Sequence, residues 1–169
     1  ILFAGFAGLL NPVLGGFVST IGSGFGAFPS LGLVLFFFLV VGPVEESVKL
    51  LAVRLYSYRD ERFDAVIDGA VYGAVAGLGF ATIENAIYIT STIEQSGAAD
   101  IVGTGSAIAT VRALAGPGHV IYSGFAGYYL GLAKFNRDSA GPIVVKGLLI
   151  AALIHATYNS LVGVVPALV

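Results

Sequence analysis

The sequence predicts an all-α fold, a polytopic bundle of about five transmembrane helices in a single domain. Three observations carry that prediction. Hydrophobic residues make up 57% of the 169-residue chain and charged ones only 11%, where a soluble globule carries about 25% charged residues. Mean hydropathy is +0.93, so there are too few charges to coat a water-facing surface and lipid must cover much of it. The apolar residues gather into segments near the ~20 residues that cross a hydrocarbon core, with short polar turns between them. The 24 glycines suit closely packed membrane helices.

The segments follow in order. Leu2–Ile21 is apolar and glycine-rich, and Ser23-Gly24-Phe25-Gly26 through Pro29 is a turn. Leu31–Leu55 is the second span, closed by the charged turn Ser57–Asp64. Val66–Thr90 is the third, followed by the small, polar stretch Glu94–Gly105. Ala107–Ala133 is the fourth, Asn136–Pro142 the next charged turn, and Ile143–Val165 the fifth. Gly69, Gly73 and Gly77 in the third span, and Gly127 and Gly131 in the fourth, recur at the four-residue spacing that lets helix backbones approach. Basic residues concentrate at two turns, Arg54, Arg59 and Arg62 at one and Lys134 and Arg137 at the other. Their excess marks the cytoplasmic side, so the chain is expected to exit after its first span and then alternate. Residues 1–169 read as one transmembrane domain of a multi-pass cell-membrane protein, with a functional core over about 31–165. No methionine occurs, not even an initiating one, and the expectation is a chain trimmed at its N-terminus.

Composition also excludes function classes. A net charge of −2 without a basic run argues against a nucleic-acid partner. The absence of cysteine rules out thiol catalysis, disulfides and thiolate-bound metal.

Ionisable side chains at bilayer depth cost at least ~2.5–3.5 kcal/mol each and mark functional sites by default. Glu45, Glu46 and Lys49 lie in the second span, Asp68 and Glu84 (followed by Asn85) in the third, Arg112 and His119 in the fourth, and His155 and Asn159 in the fifth. At ~1.5 Å per residue, Glu45, His119 and His155 fall near the middle of their spans and Glu84 nearer the outer end of its own, so all four can converge. Lys49 stands one turn after Glu45, where an i,i+4 ion pair forms, and is expected to meet Asp68 as well, two charges that neutralise each other. The Glu45-Glu46 doublet resists that explanation, because neighbouring residues point about 100° apart on a helix. A local echo joins the histidines: His119-Val-Ile-Tyr122-Ser123 through Gly127 and His155-Ala-Thr-Tyr158-Asn159 through Gly163 both read His-x-x-Tyr-(Ser or Asn)-x-x-x-Gly. On antiparallel helices the echo faces one cavity from two walls, unless it is a chance similarity. Pro117, between Gly116 and Gly118, should break or kink the helix just before His119.

Two histidines and a carboxylate are a ligand set for catalytic zinc that leaves one position open for water. His119, His155 and Glu84 supply such a set, with Glu45 or Glu46 as general base. A metal-free arrangement is also coherent, in which a glutamate and a histidine activate water while His155 and Asn159 stabilise an oxyanion. No Gly-x-Ser-x-Gly elbow supports a serine nucleophile.

At these residues the sequence resembles the PrsW family of intramembrane proteases, relatives of the CAAX-prenyl endopeptidase and of bacteriocin-processing membrane enzymes. Pro43-Val-Glu45-Glu46-Ser-Val-Lys49 is similar to its Glu-Glu-x-x-Lys motif and Phe80-Ala-Thr-Ile-Glu84-Asn85 to its Phe-x-x-x-Glu-Asn motif. Pro117-Gly-His119 resembles its third motif and His155-Ala-Thr-Tyr158-Asn159 its His-x-x-x-Asn motif. The resemblance spans Pro43 to Asn159. It implies hydrolysis of a peptide bond in or near the membrane of a membrane-anchored protein, with Glu45 and Glu46 as the essential glutamates and His119 and His155 as active-site partners. Family members make the first, extracytoplasmic cut in a membrane-bound anti-sigma factor. The prenyl proteases carry histidine where Glu84 stands, so their roles do not transfer to that position. Two rival functions fit the intramembrane charges: a proton- or ion-coupled transporter, for which long inverted repeats are missing, and a non-catalytic scaffold.

Overall fold

The computed structural model describes residues 2–22, 29–97 and 100–164, and among them helix is the only regular secondary structure. Helix α1 is Leu2–Gly22. Helix α2 (Pro29–Phe36) runs through a π-helical turn (Phe37–Val41) into α3 (Gly42–Tyr56). Then follow α4 (Val66–Ser96), α5 (Ile101–Val111), α6 (Ala115–Phe135), a 3-10 turn (Arg137–Ser139) and α7 (Ala140–Val164). Three stretches, Leu31–Tyr56, Val66–Ser96 and Arg137–Val162, are long and apolar enough to cross a membrane. Helices α1 and α6 add 21 residues each, and the predicted helical membrane bundle is the fold that forms. The first turn, from Ser23, and Val165 at the end of the fifth segment lie outside the described residues.

The segments expected at Ala107–Ala133 and Glu94–Gly105 are redrawn. The former is broken by a turn at residues 112–114, so α5 ends at Val111 and α6 begins at Ala115. Pro117 thereby sits in the first turn of α6, where a missing N–H costs nothing. His119 consequently lies near the start of its helix, not at the middle of a span. The polar stretch is mostly helical, at residues 94–96 and 101–105, and α4 runs into it with Thr90, Thr92 and Ser96 donating their hydroxyls to carbonyls of the preceding turn at 2.8–3.0 Å. Gly97 ends α4 with φ of 57°, and the Asp100 carboxylate caps α5 by accepting from the Gly103 N–H at 2.8 Å.

Glycine spacing sets the central helix pair. A Cβ on Gly69 would strike the Gly127 carbonyl and come within 2.8 Å of the Gly131 nitrogen. One on Gly73 would strike the Ser123 carbonyl, and one on Gly77 the His119 carbonyl, with the carbonyl carbon at 2.8 Å. Matched positions rise along α4 as they fall along α6, so the two helices are antiparallel and in backbone contact, as small residues four apart allow. Helix α7 packs on the other side of α6, and α3 closes the group: a Cβ at Gly42 would meet the Ala152 carbonyl oxygen at 2.6 Å.

Burial is inverted relative to a water-soluble protein. Lys49, His155 and Glu46 are among the largest fully buried side chains, whereas Leu39, Val75, Leu149 and Leu153 are more than half exposed. Only an apolar surrounding makes that distribution favourable. At the end carrying the basic residues, Phe63 is buried under the Ser57–Asp64 turn, and Lys134 donates to the Tyr58 and Phe63 carbonyls at 2.7 and 2.6 Å. Asp68 does not meet Lys49. Its carboxylate accepts from the Asp64 and Ala65 N–H groups at 3.0 and 2.7 Å, capping the start of α4, where free backbone donors and the helix dipole both favour an anion.

Candidate active site

The π turn at Phe37–Val41 sits directly before the glutamate doublet. Pro43 has no N–H and its ring clashes with a carbonyl one turn back, and a widened turn relieves such a conflict. From there α3 directs both Glu45 and Glu46 inward, with relative exposures of 4% and 0%.

Glu46 is the best-satisfied group in the site. Its Oε1 accepts from Lys49 Nζ at 2.7 Å and lies 2.9 Å from His155 Nδ1, and its Oε2 accepts from the Ser123 hydroxyl at 3.0 Å. Such a carboxylate fixes the imidazole tautomer, turning the lone pair of His155 Nε2 toward Glu45, whose Oε2 is 3.8 Å away. The Tyr122 ring stacks on His155 with centroids 5.0 Å apart and planes 19° from parallel. Position and proton of His155 are thus held from two sides.

Glu45 is held from one side only. Its Oε1 accepts from Asn11 Nδ2 on α1 at 3.0 Å. Its Oε2 is buried without a hydrogen-bond partner among the described residues. Lys49 Nζ is 3.8 Å from that oxygen, so its close ion pair is with Glu46 at i,i+3.

His119 bridges two charged groups. Lys49 Nζ is 2.7 Å from its Nδ1, and Glu84 Oε2 is 3.1 Å from its Nε2. Arg112, on the turn between α5 and α6, binds Glu84 Oε2 through Nη2 at 2.5 Å and Asn85 Oδ1 through Nε at 2.6 Å. The guanidinium also lies 3.9 Å from the Tyr88 ring centroid. The Glu84 carboxylate is therefore engaged by Arg112 as well as by His119.

One donor atom each from Glu45, His119 and His155 lies within 4.8 Å of the others, and all three residues are buried. That group contains the two histidines expected as ligands but takes Glu45, not Glu84, as its acid. The orphaned Glu45 oxygen and the uncommitted His155 Nε2 suit a divalent cation, and His119 completes the set on exchanging Lys49 or Glu84 at one of its ring nitrogens for the ion.

A cavity of about 220 Å³ adjoins the group, lined by Glu84, Arg112, His119, Tyr122, Tyr158 and Asn159 among others. His155 lies one layer deeper, against Tyr122 and with its ring centroid 4.8 Å from that of His119. The two His-x-x-Tyr echoes do meet at one cavity. Asn159, one turn beyond His155, lines the cavity and makes no side-chain hydrogen bond among the described residues.

Sequence reasoning missed Asn11, the capture of Glu84 by Arg112 and the stacking of Tyr122 on His155. A signal existed for the first: Asn11 is the sole polar side chain between Leu2 and Val18.

A family model described as PrsW family intramembrane metalloprotease matches residues 1–169. Protease PrsW of Bacillus subtilis is 36% identical over 124 residues, 72% of this chain and 51% of that protein. Protease PrsW of Clostridioides difficile is 33% identical over 129 residues, 75% of this chain and 51% of that protein. Protease PrsW of Geobacillus kaustophilus is 32% identical over 122 residues, 72% and 49% respectively. The chain thus spans about half the length of these relatives. No solved structure matches. With the full chain matched by the family model and the acids and histidines of the four motifs meeting at one buried site, the chain belongs to the PrsW family.

Proposed function

We propose that this chain carries the reaction centre of an intramembrane endopeptidase, which hydrolyses a peptide bond of a membrane-anchored protein in or near the bilayer. The observation that carries the reading is the buried convergence of Glu45, His119 and His155 beside a cavity, with one Glu45 oxygen left unpartnered. Glu45, His119 and His155 would hold zinc. Bound there, it would act as a Lewis acid and lower the pKa of a water molecule.

The chain's own residues divide the remaining work. Glu46 keeps the His155 Nδ1 proton and so keeps Nε2 available, while Lys49 offsets the charge of Glu46. Glu84 faces the cavity with its Oε1 unbonded among the described residues and its Oε2 bound by Arg112 and His119. It would accept a proton from the attacking water and return it to the leaving amine. The free Asn159 amide would donate to the carbonyl oxygen of the scissile bond as negative charge develops on it. The family resemblance extends the proposal to an anti-sigma-factor-like substrate.

A metal-independent reading has one observation in its favour: the Lys49 ammonium already stands 2.7 Å from His119 and 3.8 Å from Glu45. There Glu45 Oε2 would be the base, with Asn159 and a doubly protonated His155, its Nε2–H then free to donate, as oxyanion donors. The experiment that tests both is cleavage of membrane-anchored peptide reporters by purified protein, comparing wild type, Glu45→Gln and His155→Ala with and without chelator. Loss of cleavage in both variants supports a peptidase, and chelator sensitivity reversed by zinc supports the metal. Equal cleavage by all three proteins defeats the reading and favours ion transport.

A further inference from the structure

We infer that Asn11 is a positioning residue for Glu45, so that α1 completes the reaction centre instead of merely flanking it. The inference rests on the proposal that Glu45 acts in the reaction. Helix α1 is seated by small residues: Ala4 and Ala7 are buried against Phe80, with Val44 and Ile83 packed alongside. Positions 4, 7 and 11 share one helix face. The stripe that docks α1 therefore delivers Asn11 to α3. A carboxamide among the apolar residues of Leu2–Val18 is unfavourable unless it finds a partner. Asn11 finds Glu45 Oε1, donating from Nδ2 at 3.0 Å.

The consequence is geometric. A carboxylate with one oxygen anchored cannot rotate freely, so the other oxygen stays directed at the group around it. That other oxygen, Oε2, lies 3.8 Å from His155 Nε2, 3.8 Å from Lys49 Nζ, and has no hydrogen-bond donor of its own. No other side chain donates to Glu45 Oε1 among the described residues. Without Asn11, Glu45 is free to swing its carboxylate onto Lys49, which would close the ion pair and remove Oε2 from the histidines.

The test compares wild type with Asn11→Leu, which removes the donor while suiting an apolar helix face, and Asn11→Gln, which keeps the donor on a longer arm. Two readouts are needed: kcat and KM for reporter cleavage, and the infrared carboxylate stretch of Glu45, assigned by its disappearance in Glu45→Gln. Asn11→Leu is expected to lower kcat by about tenfold or more, the lower end of what one hydrogen bond to a charged group supplies, with KM within about twofold and thermal stability retained. It is also expected to shift the Glu45 band, and Asn11→Gln to recover part of the rate. A kcat for Asn11→Leu within about twofold of wild type, or an unmoved Glu45 band, overturns the inference. If wild type cleaves no reporter, the peptidase reading is what fails, and the infrared comparison alone then decides whether Asn11 holds Glu45.

Discussion

Gly77→Ala separates a catalytic scaffold from a generic helix bundle. The added methyl would land on the His119 carbonyl group of α6, striking its oxygen and lying 2.8 Å from its carbon, where ordinary van der Waals contact begins at 3.4 Å. Both partners are helix backbone, so no flexible side chain can yield, and α6 must move away from α4 at the residue that carries the His119 ring. Overpacking of this kind costs about 1–3 kcal/mol, and displacing a reacting group by about 1 Å costs about 100-fold in rate. Gly79→Ala, two positions along, meets nothing within 4 Å. It should keep full activity and add about 0.5–1 kcal/mol through lost unfolded-state freedom. The assay is reporter cleavage with thermal unfolding of both variants in the same detergent. Equal activity and stability for Gly77→Ala and Gly79→Ala would refute the claim that glycine contact positions His119.

Other perturbations follow from the same geometry. Lys49→Met leaves Glu46 buried with a lost counter-charge and should destabilise by about 3–5 kcal/mol, much of it recovered in the Lys49→Met/Glu46→Gln double variant, as a denaturation cycle would measure. Tyr122→Leu removes the ring stacked on His155, and kcat should fall about tenfold with smaller change in KM. Arg62 hydrogen-bonds and charge-stabilises the exposed Asp60 carboxylate, holding it below the usual carboxylate range. What that pair adds to stability is therefore present above the unfolded carboxylate pKa and lost on acidification. Arg62→Ala should return the Asp60 titration to normal, by NMR, and leave cleavage unchanged.

Much of the site was legible because polarity inside a membrane span is rare and conspicuous. Glu45, Glu46, Lys49, His119 and His155 stand out against apolar neighbours, and all five are buried together. The glycine rows on the third and fourth segments likewise foretold the α4–α6 contact. Lateral position was not legible. Depth along a helix follows from residue count, but which carboxylate joins the two histidines depends on how helices rotate and pack. Glu84 and Glu45 both suited the expected depth, and Arg112 engages the former. In the sequence Arg112 reads as part of a continuous span, because hydropathy averages over the turn at residues 112–114 and Pro117 points to a break nearer His119. Depth and charge bring Asp68 toward Lys49 in the sequence, whereas the free backbone N–H groups at the start of α4 are its nearer partners.

The assignment of Glu45 to the histidine group is tested most directly by zinc binding to purified protein, titrated against a chromogenic chelator in wild type, Glu45→Gln, His119→Ala, His155→Ala and Glu84→Gln. The account predicts one tightly held zinc in wild type, loss in the first three variants, and retention in Glu84→Gln. Zinc held by Glu45→Gln and lost from Glu84→Gln would contradict it, returning the metal to the set expected from sequence alone.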